Sequence, residues 1–142
     1  QHGDVIWACV RPNRRSYALI LDPEPDLIVS TGFAVLSPRD LPSSYIYQCV
    51  TTDAFVAYLV NRAKGAAYPA VGSEDFEVAK VLKPSRGVVS EFDRIAAPMM
   101  RLVATLHSKN SNLRATRDLL LPNLISGELD VSQYPEPETV NP

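Results

Sequence analysis

Apolar and polar positions alternate over the first third of the chain in the way short strands do. Asp4-Val-Ile-Trp-Ala-Cys-Val10 is an apolar run rich in β-formers. Arg11-Pro-Asn-Arg-Arg15 interrupts it as a polar breaker, and Tyr17-Ala-Leu-Ile-Leu21 resumes the apolar pattern. Asp22-Pro-Glu-Pro-Asp26 reads as a turn by its proline content. Leu27-Ile-Val29 and Gly32-Phe-Ala-Val-Leu36 then complete a small predicted sheet. Helical signals follow. Pro42 suits a first helical position ahead of Ser43 to Val50. Thr52 or Asp53 suits the cap of a helix whose apolar face is Phe55, Val56, Leu59 and Val60. Residues 65–71 read as a loop, Ser73-Glu-Asp-Phe76 as a short capped turn, and Val78 to Leu82 as a final strand ending at Pro84.

From Val88 the rhythm changes. Val88, Phe92, Ile95, Met99, Leu102, Leu106, Lys109, Leu113, Thr116 and Leu120 follow one another at alternating spacings of four and three residues. That is a heptad seam, interrupted by polar Lys109 and Thr116. At about 1.5 Å per residue it predicts a helical rod roughly 50 Å long. Pro98 should bend it, and Pro122 and Gly127 should stop it. A seam of this length calls for a partner helix. Residues 132–142, with three prolines among acids, read as disordered.

Composition narrows the function classes. The 142 residues are 46% apolar and 21% charged, without an uncharged apolar run long enough to span a bilayer. No secretory leader is visible at Gln1-His2-Gly3-Asp4, and the absence of an initial Met suggests a fragment or processed product. Cys9 and Cys49 match no metal spacing and are expected as buried free thiols of a cytosolic protein. The net charge of -2 gives no general attraction for nucleic acid. Its distribution is uneven, however: residues 85–127 hold six basic and three acidic side chains, whereas residues 128–142 hold four acids and no base.

Catalytic motifs are missing from the sequence. There is no glycine-rich S-adenosylmethionine motif, no Asn/Asp-Pro-Pro-aromatic motif for base methylation and no Walker loop. Pro25-Asp26 with Glu77-Val-Ala-Lys80 approximates a nuclease metal motif, but Glu77 and Lys80 stand one position too far apart. His2 and His107 are expected at the surface. DNA contact has better candidates. Arg11, Asn13, Arg14, Arg15 and Tyr17 gather in or beside one turn, where guanidinium groups can grip phosphate or guanine and an amide can read adenine. Lys64 and Tyr68 flank a loop that can hold a phosphate or stack on a base. Arg101, Arg114 and Arg117 offer further cations along the rod, with Arg114 and Asp118 spaced as a surface pair.

One segment resembles a known family. Leu113-Arg-Ala-Thr-Arg-Asp-Leu-Leu-Leu-Pro-Asn-Leu-Ile-Ser-Gly-Glu-Leu-Asp-Val131 is similar to the stretch that closes type I restriction-modification specificity subunits. Gly3-Asp4 before an apolar strand, Val10-Arg11-Pro12, Ser30-Thr31-Gly32-Phe33, Pro69 and Pro84 resemble, in order, the second part of that family's target recognition domain. The likeness covers roughly residues 3–131. It implies an α/β (α+β) fold: a small sheet-based, truncated target recognition domain at residues 1–84, then a long, kinked coiled-coil spacer helix at 85–127. An acidic flexible tail at 128–142 would follow.

The implied function is sequence-specific recognition of double-stranded DNA and scaffolding of methyltransferase and motor-nuclease subunits in the cytoplasm. The chain itself would carry no cofactor, metal or catalytic residue. Its DNA-binding residues would be Arg11, Asn13, Arg14, Arg15, Lys64 and Tyr68. Its helix would present Phe92, Ile95, Met99, Leu102, Leu106, Leu113 and Leu120 to partner helices or to a second copy. The chain departs from the family pattern in lacking the opening strands of this recognition domain, in lacking a second recognition domain, and in placing Asn123 where a basic residue is common. Weak DNA binding by the fragment alone is therefore expected. The competing readings are a coiled-coil interaction module that binds no DNA and a free-standing methyltransferase.

Overall fold

The computed structural model describes residues 1–132. The acidic tail read from the sequence lies, from residue 133 on, outside the described residues. Strand β1 (Val5–Ala8) occupies the middle of a three-stranded antiparallel sheet, between β2 (Tyr17–Leu19) and β3 (Phe33–Leu36). Trp7 lies opposite Tyr17 on one side and Ala34 on the other. The two-residue period of a strand puts Val5 and Trp7 on one face, and both are fully buried.

Helices α1 (Ser43–Val50), α2 (Asp53–Arg62) and α3 (Ser73–Glu77) cover that face. Pro42 caps α1 instead of opening it, in extended conformation, and α1 begins at Ser43. The hydroxyl of Thr52 accepts the Phe55 N–H at 3.2 Å, which makes Thr52 the cap of α2. Val5, Trp7, Val50, Phe55, Val56, Leu59, Val71 and Phe76 form one core cluster. The indole of Trp7 packs on the rings of Tyr17, Phe55 and Phe76, with centroids 5.2–6.5 Å apart. Its Nε1–H donates to the Val50 carbonyl at 3.1 Å, satisfying an acceptor at the end of α1.

Two predicted strands do not form. Leu27–Val29 belongs to the irregular connection between β2 and β3, where Ile28 is almost wholly exposed. Val78–Leu82 is irregular chain without ladder bonds, and Val78 is the helical C-cap of α3. The Val78 and Ala79 amides turn back to the Glu74 and Phe76 carbonyls, and the Leu82 carbonyl accepts from the Tyr45 hydroxyl. The cysteines also differ from expectation: both are free, but each is only half-buried. Burial pushes the Cys9 thiol pKa up, while a hydrogen bond from Ala34 acts the other way.

Helix α4 runs from Arg86 to Ser126. It contains Pro98, as the heptad pattern requires, and it also runs through Pro122. A proline removes only one donor and itself favours helical φ, so the helix ends later. Gly127, at φ +79, takes the left-handed conformation that closes a helix, and the Leu129 N–H reaches back to the Asn123 carbonyl. The division into compact units, Gln1–Leu102 and Val103–Pro142, falls inside α4.

Within the first unit, α4 turns to the sheet domain a face that shares only Phe92 with the heptad seam. Val89 is buried, Phe92, Asp93, Ala96 and Met100 are half-buried, and Val88, Ile95 and Met99 are exposed. Phe92 therefore packs within the chain, its ring meeting that of Tyr45 edge-on at 5.6 Å. Asp93 accepts from the Ser44 hydroxyl beside it. Adjacent helical residues point about 100° apart, so docking through Val89 leaves the seam through Val88 uncovered. No helix among the described residues is long and apolar enough to cross a membrane.

Trp7 is the only tryptophan and should be the most sensitive point of the core. Trp7→Phe removes the donor to Val50 and should destabilise by roughly 1–3 kcal/mol. Trp7→Ala should cost about 3–5 kcal/mol. Urea unfolding followed by circular dichroism measures both, and a Trp7→Ala chain as stable as wild type would contradict this account.

Candidate nucleic-acid interface

The breaker after β1 folds as a single 3-10 turn, Pro12–Arg14, flanked by two residues of unusual backbone conformation. Arg11 (φ 53) and Arg15 (φ 54) both occupy the left-handed region, which costs a non-glycine residue on the order of 1–3 kcal/mol. The surroundings over-determine the turn. Pro12 is fully buried. The Arg11 amide donates to the Pro69 carbonyl at 2.7 Å, and the Arg14 and Arg15 amides donate back to the Arg11 and Pro12 carbonyls.

The loop after α2 is brought against this turn. Lys64 and Ala70 exchange two backbone hydrogen bonds of 2.9 Å, closing residues 64–70 into a small hairpin. Val10 bridges to Ala70, and the Val71 amide donates to the Cys9 carbonyl. Gly65 permits the bend: its φ is +100, and a Cβ there would stand 3.0 Å from the Tyr68 carbonyl oxygen. The Arg11 guanidinium lies over the Tyr68 ring, 4.6 Å from its centroid, and reaches the Ala67 carbonyl at 3.5 Å. Two segments that the sequence offered as separate DNA contacts thus form one surface.

The six candidates play different structural parts. Arg11 is half-buried and stacked on Tyr68. Arg15 pairs with Asp53 at the start of α2. That hydrogen bond raises the Arg15 pKa further above its ordinary value, so its charge is permanent. Asn13, Arg14 and Lys64 are exposed, and their side chains make no hydrogen bond or ion pair with other described residues. Asp53 is the partner that sequence reading missed, because a capping position near Thr52 accounts for an acid there without further function. The surface has four cations, Arg11, Arg14, Arg15 and Lys64, against that one carboxylate, although the whole chain is net acidic. Screening over about 8–10 Å makes the local excess count for more than the total.

The remaining candidates fall elsewhere. Arg101, Arg114 and Arg117 are exposed on α4. Asp118 is paired with its neighbour Arg117 at 2.7 Å, not with Arg114 as its spacing suggested. His107 is exposed, and His2 is exposed with its Nδ1 accepting the Asp22 amide. Asp26, Glu77 and Lys80 are exposed. Among the described residues no three His, Cys, Asp or Glu side chains are grouped as a metal site requires. An open apolar groove of about 480 Å³ beside β3 is lined by Leu36, Ile46, Val50, Phe55, Phe76 and Val81. Its polar lining includes Arg39 and the Lys83–Asp40 ion pair, which offers no evident chemistry.

Neither protein-family models nor curated proteins include a match to this chain.

The strain in the turn is measurable. Arg15→Gly removes an exposed, solvent-screened ion pair that contributes little and relieves the left-handed backbone, so stability should hold or rise slightly. Arg15→Val keeps the strain and adds a branched side chain, and it should lower the thermal midpoint. A valine variant more stable than the glycine variant would show that the left-handed conformation does not govern this position.

Proposed function

We propose that this chain reads duplex DNA through the 11–15 turn and the 64–70 hairpin, and that α4 scaffolds partner subunits in a type I restriction-modification complex. The observation that carries the reading is the convergence of Arg11 and Tyr68, whose segments lie more than fifty residues apart in sequence, on one exposed cationic surface. The resemblance of Leu113–Val131 to the closing motif of specificity subunits supplies the biological setting.

Each part of that surface has a use on DNA. Asn13 and Arg14 project from a turn narrow enough to approach a groove, where an amide can pair with adenine and a guanidinium with guanine. Lys64 suits a phosphate as a point charge. Arg11 and Arg15 hold the turn, since their charges already face the Tyr68 ring and Asp53. Methyl transfer and strand cleavage would belong to the partners. The exposed apolar face of α4 fits the scaffold role, and taken alone it would also fit an interaction module that binds no DNA.

Salt dependence separates the two readings, because neutralised phosphates release counterions. The chain should bind a duplex of about 30 base pairs weakly, in the range of about 10⁻⁴–10⁻⁶ M at physiological salt. Affinity should fall steeply as salt rises. Lys64→Ala should weaken all sequences alike and reduce the salt slope by about one unit. Arg14→Ala should do the same if it grips phosphate, or lose about 1–3 kcal/mol of discrimination at one base pair if it reads guanine. Fluorescence anisotropy gives these values. Unchanged affinity, selectivity and slope after replacing Arg11, Arg14 and Arg15 together would remove the turn from any DNA interface.

A further inference from the structure

The fold itself asks little of Asp53. It is the first residue of α2, but the Thr52 hydroxyl already caps that helix by accepting the Phe55 N–H. An acid there suits the helix dipole, which other positions of the first turn would serve as well. The side chain is 86% exposed and lies outside the core. Its carboxylate meets the Arg15 guanidinium at 2.5 Å, across 38 residues of sequence. An ion pair this open to water adds little to stability.

The four cations of the candidate surface are not equivalent. Arg14 and Lys64 are exposed and make no ion pair with other described residues. Arg11 lies on the neutral ring of Tyr68, which leaves its positive charge uncompensated. Arg15 alone faces a carboxylate, although 47% of its side chain is exposed. A phosphate that reached Arg15 would have to draw it off Asp53 and would then lie beside a bare acid. Such separations are well inside the screening length of about 8–10 Å, so salt does little to soften the repulsion. The base edges are uncharged and meet no such barrier, which leaves Asn13 and Arg14 free to read them.

We propose that Asp53 withholds Arg15 from the phosphate backbone and so keeps sequence-independent DNA binding weak. The inference rests on the DNA-reading function proposed above and adds to it a residue that sets selectivity. Asp53 is a positioning residue in this account, acting through Arg15 without touching DNA. Phosphate contacts carry no sequence information. Specificity is a difference of affinities, so lowering the indiscriminate part raises the weight of the bases that are read.

The test uses the 142-residue chain and a labelled duplex of random sequence, titrated by anisotropy over a range of salt. Each phosphate neutralised adds about 0.9 to the slope of log affinity against log salt. Asp53→Asn should therefore steepen the slope by about one unit and tighten binding about fivefold or more at roughly 0.1 M salt. Asp53→Glu, which can keep the pair, should retain the wild-type slope. Arg15→Gln separates the pair from a general change of charge. It should lower the slope by about one unit in the Asp53→Asn chain, and by much less where Asp53 is present. A merely structural role for Asp53 would lower the thermal midpoint of Asp53→Asn and leave the slope unchanged. That result, or an equal effect of Arg15→Gln with and without Asp53, would overturn the inference while DNA binding stands. No binding by the wild-type chain or by any variant, even at low salt, sinks the DNA-reading function and this inference with it.

Discussion

The fold depends on one side chain, the indole of Trp7. It sits on the central strand, is fully buried, and touches aromatic rings from β2, α2 and α3 while its N–H closes onto the end of α1. A three-stranded sheet of three- and four-residue strands has little pairing of its own, so the helices must be held by packing. A large aromatic suits that role because it buries much area at low entropic cost and keeps one polar tip to be satisfied. The same strand then delivers the chain directly into the 3-10 turn. The rigidity that Trp7 confers on β1 is therefore what aims Asn13 and Arg14.

The candidate interface joins local strain to local charge. Two arginines in the left-handed conformation are improbable in a neutral loop, where glycine or asparagine would serve at lower cost. Their retention has a physical rationale if the guanidinium groups matter: one lies on Tyr68 and the other on Asp53. With Pro12 buried beneath them, those contacts leave Asn13 and Arg14 exposed. The arrangement gives a protein of net negative charge a small cationic surface, which favours short-range recognition over long-range attraction.

Much of this was legible in the sequence, and the failures have reasons. β1, β3, α1, α2 and α4 were visible because each has a clear apolar period or a capping residue, Thr52 being the clearest. The strand expected at Val78–Leu82 had the right composition, but its first amides turn back onto α3, which composition does not reveal. The heptad seam was correctly read as a continuous helix, yet its register did not show which face the chain would use itself. Val89 and Phe92 dock on the body, and the seam through Leu106, Leu113 and Leu120 stays exposed. At the candidate interface the residue types were readable, whereas the meeting of Arg11 with Tyr68 depends on the Lys64–Ala70 hairpin closing against Val10. Pairings so far apart in sequence leave no local periodic signal.

The central claim is that the turn and the hairpin act as one DNA-contacting surface. Amide chemical-shift mapping of the labelled chain, titrated with duplex DNA at low salt, tests it most directly. The account predicts that the largest shifts cluster at residues 11–16 and 64–70 and move together along the titration. Shifts confined to α4, or spread without preference over the surface, would contradict it.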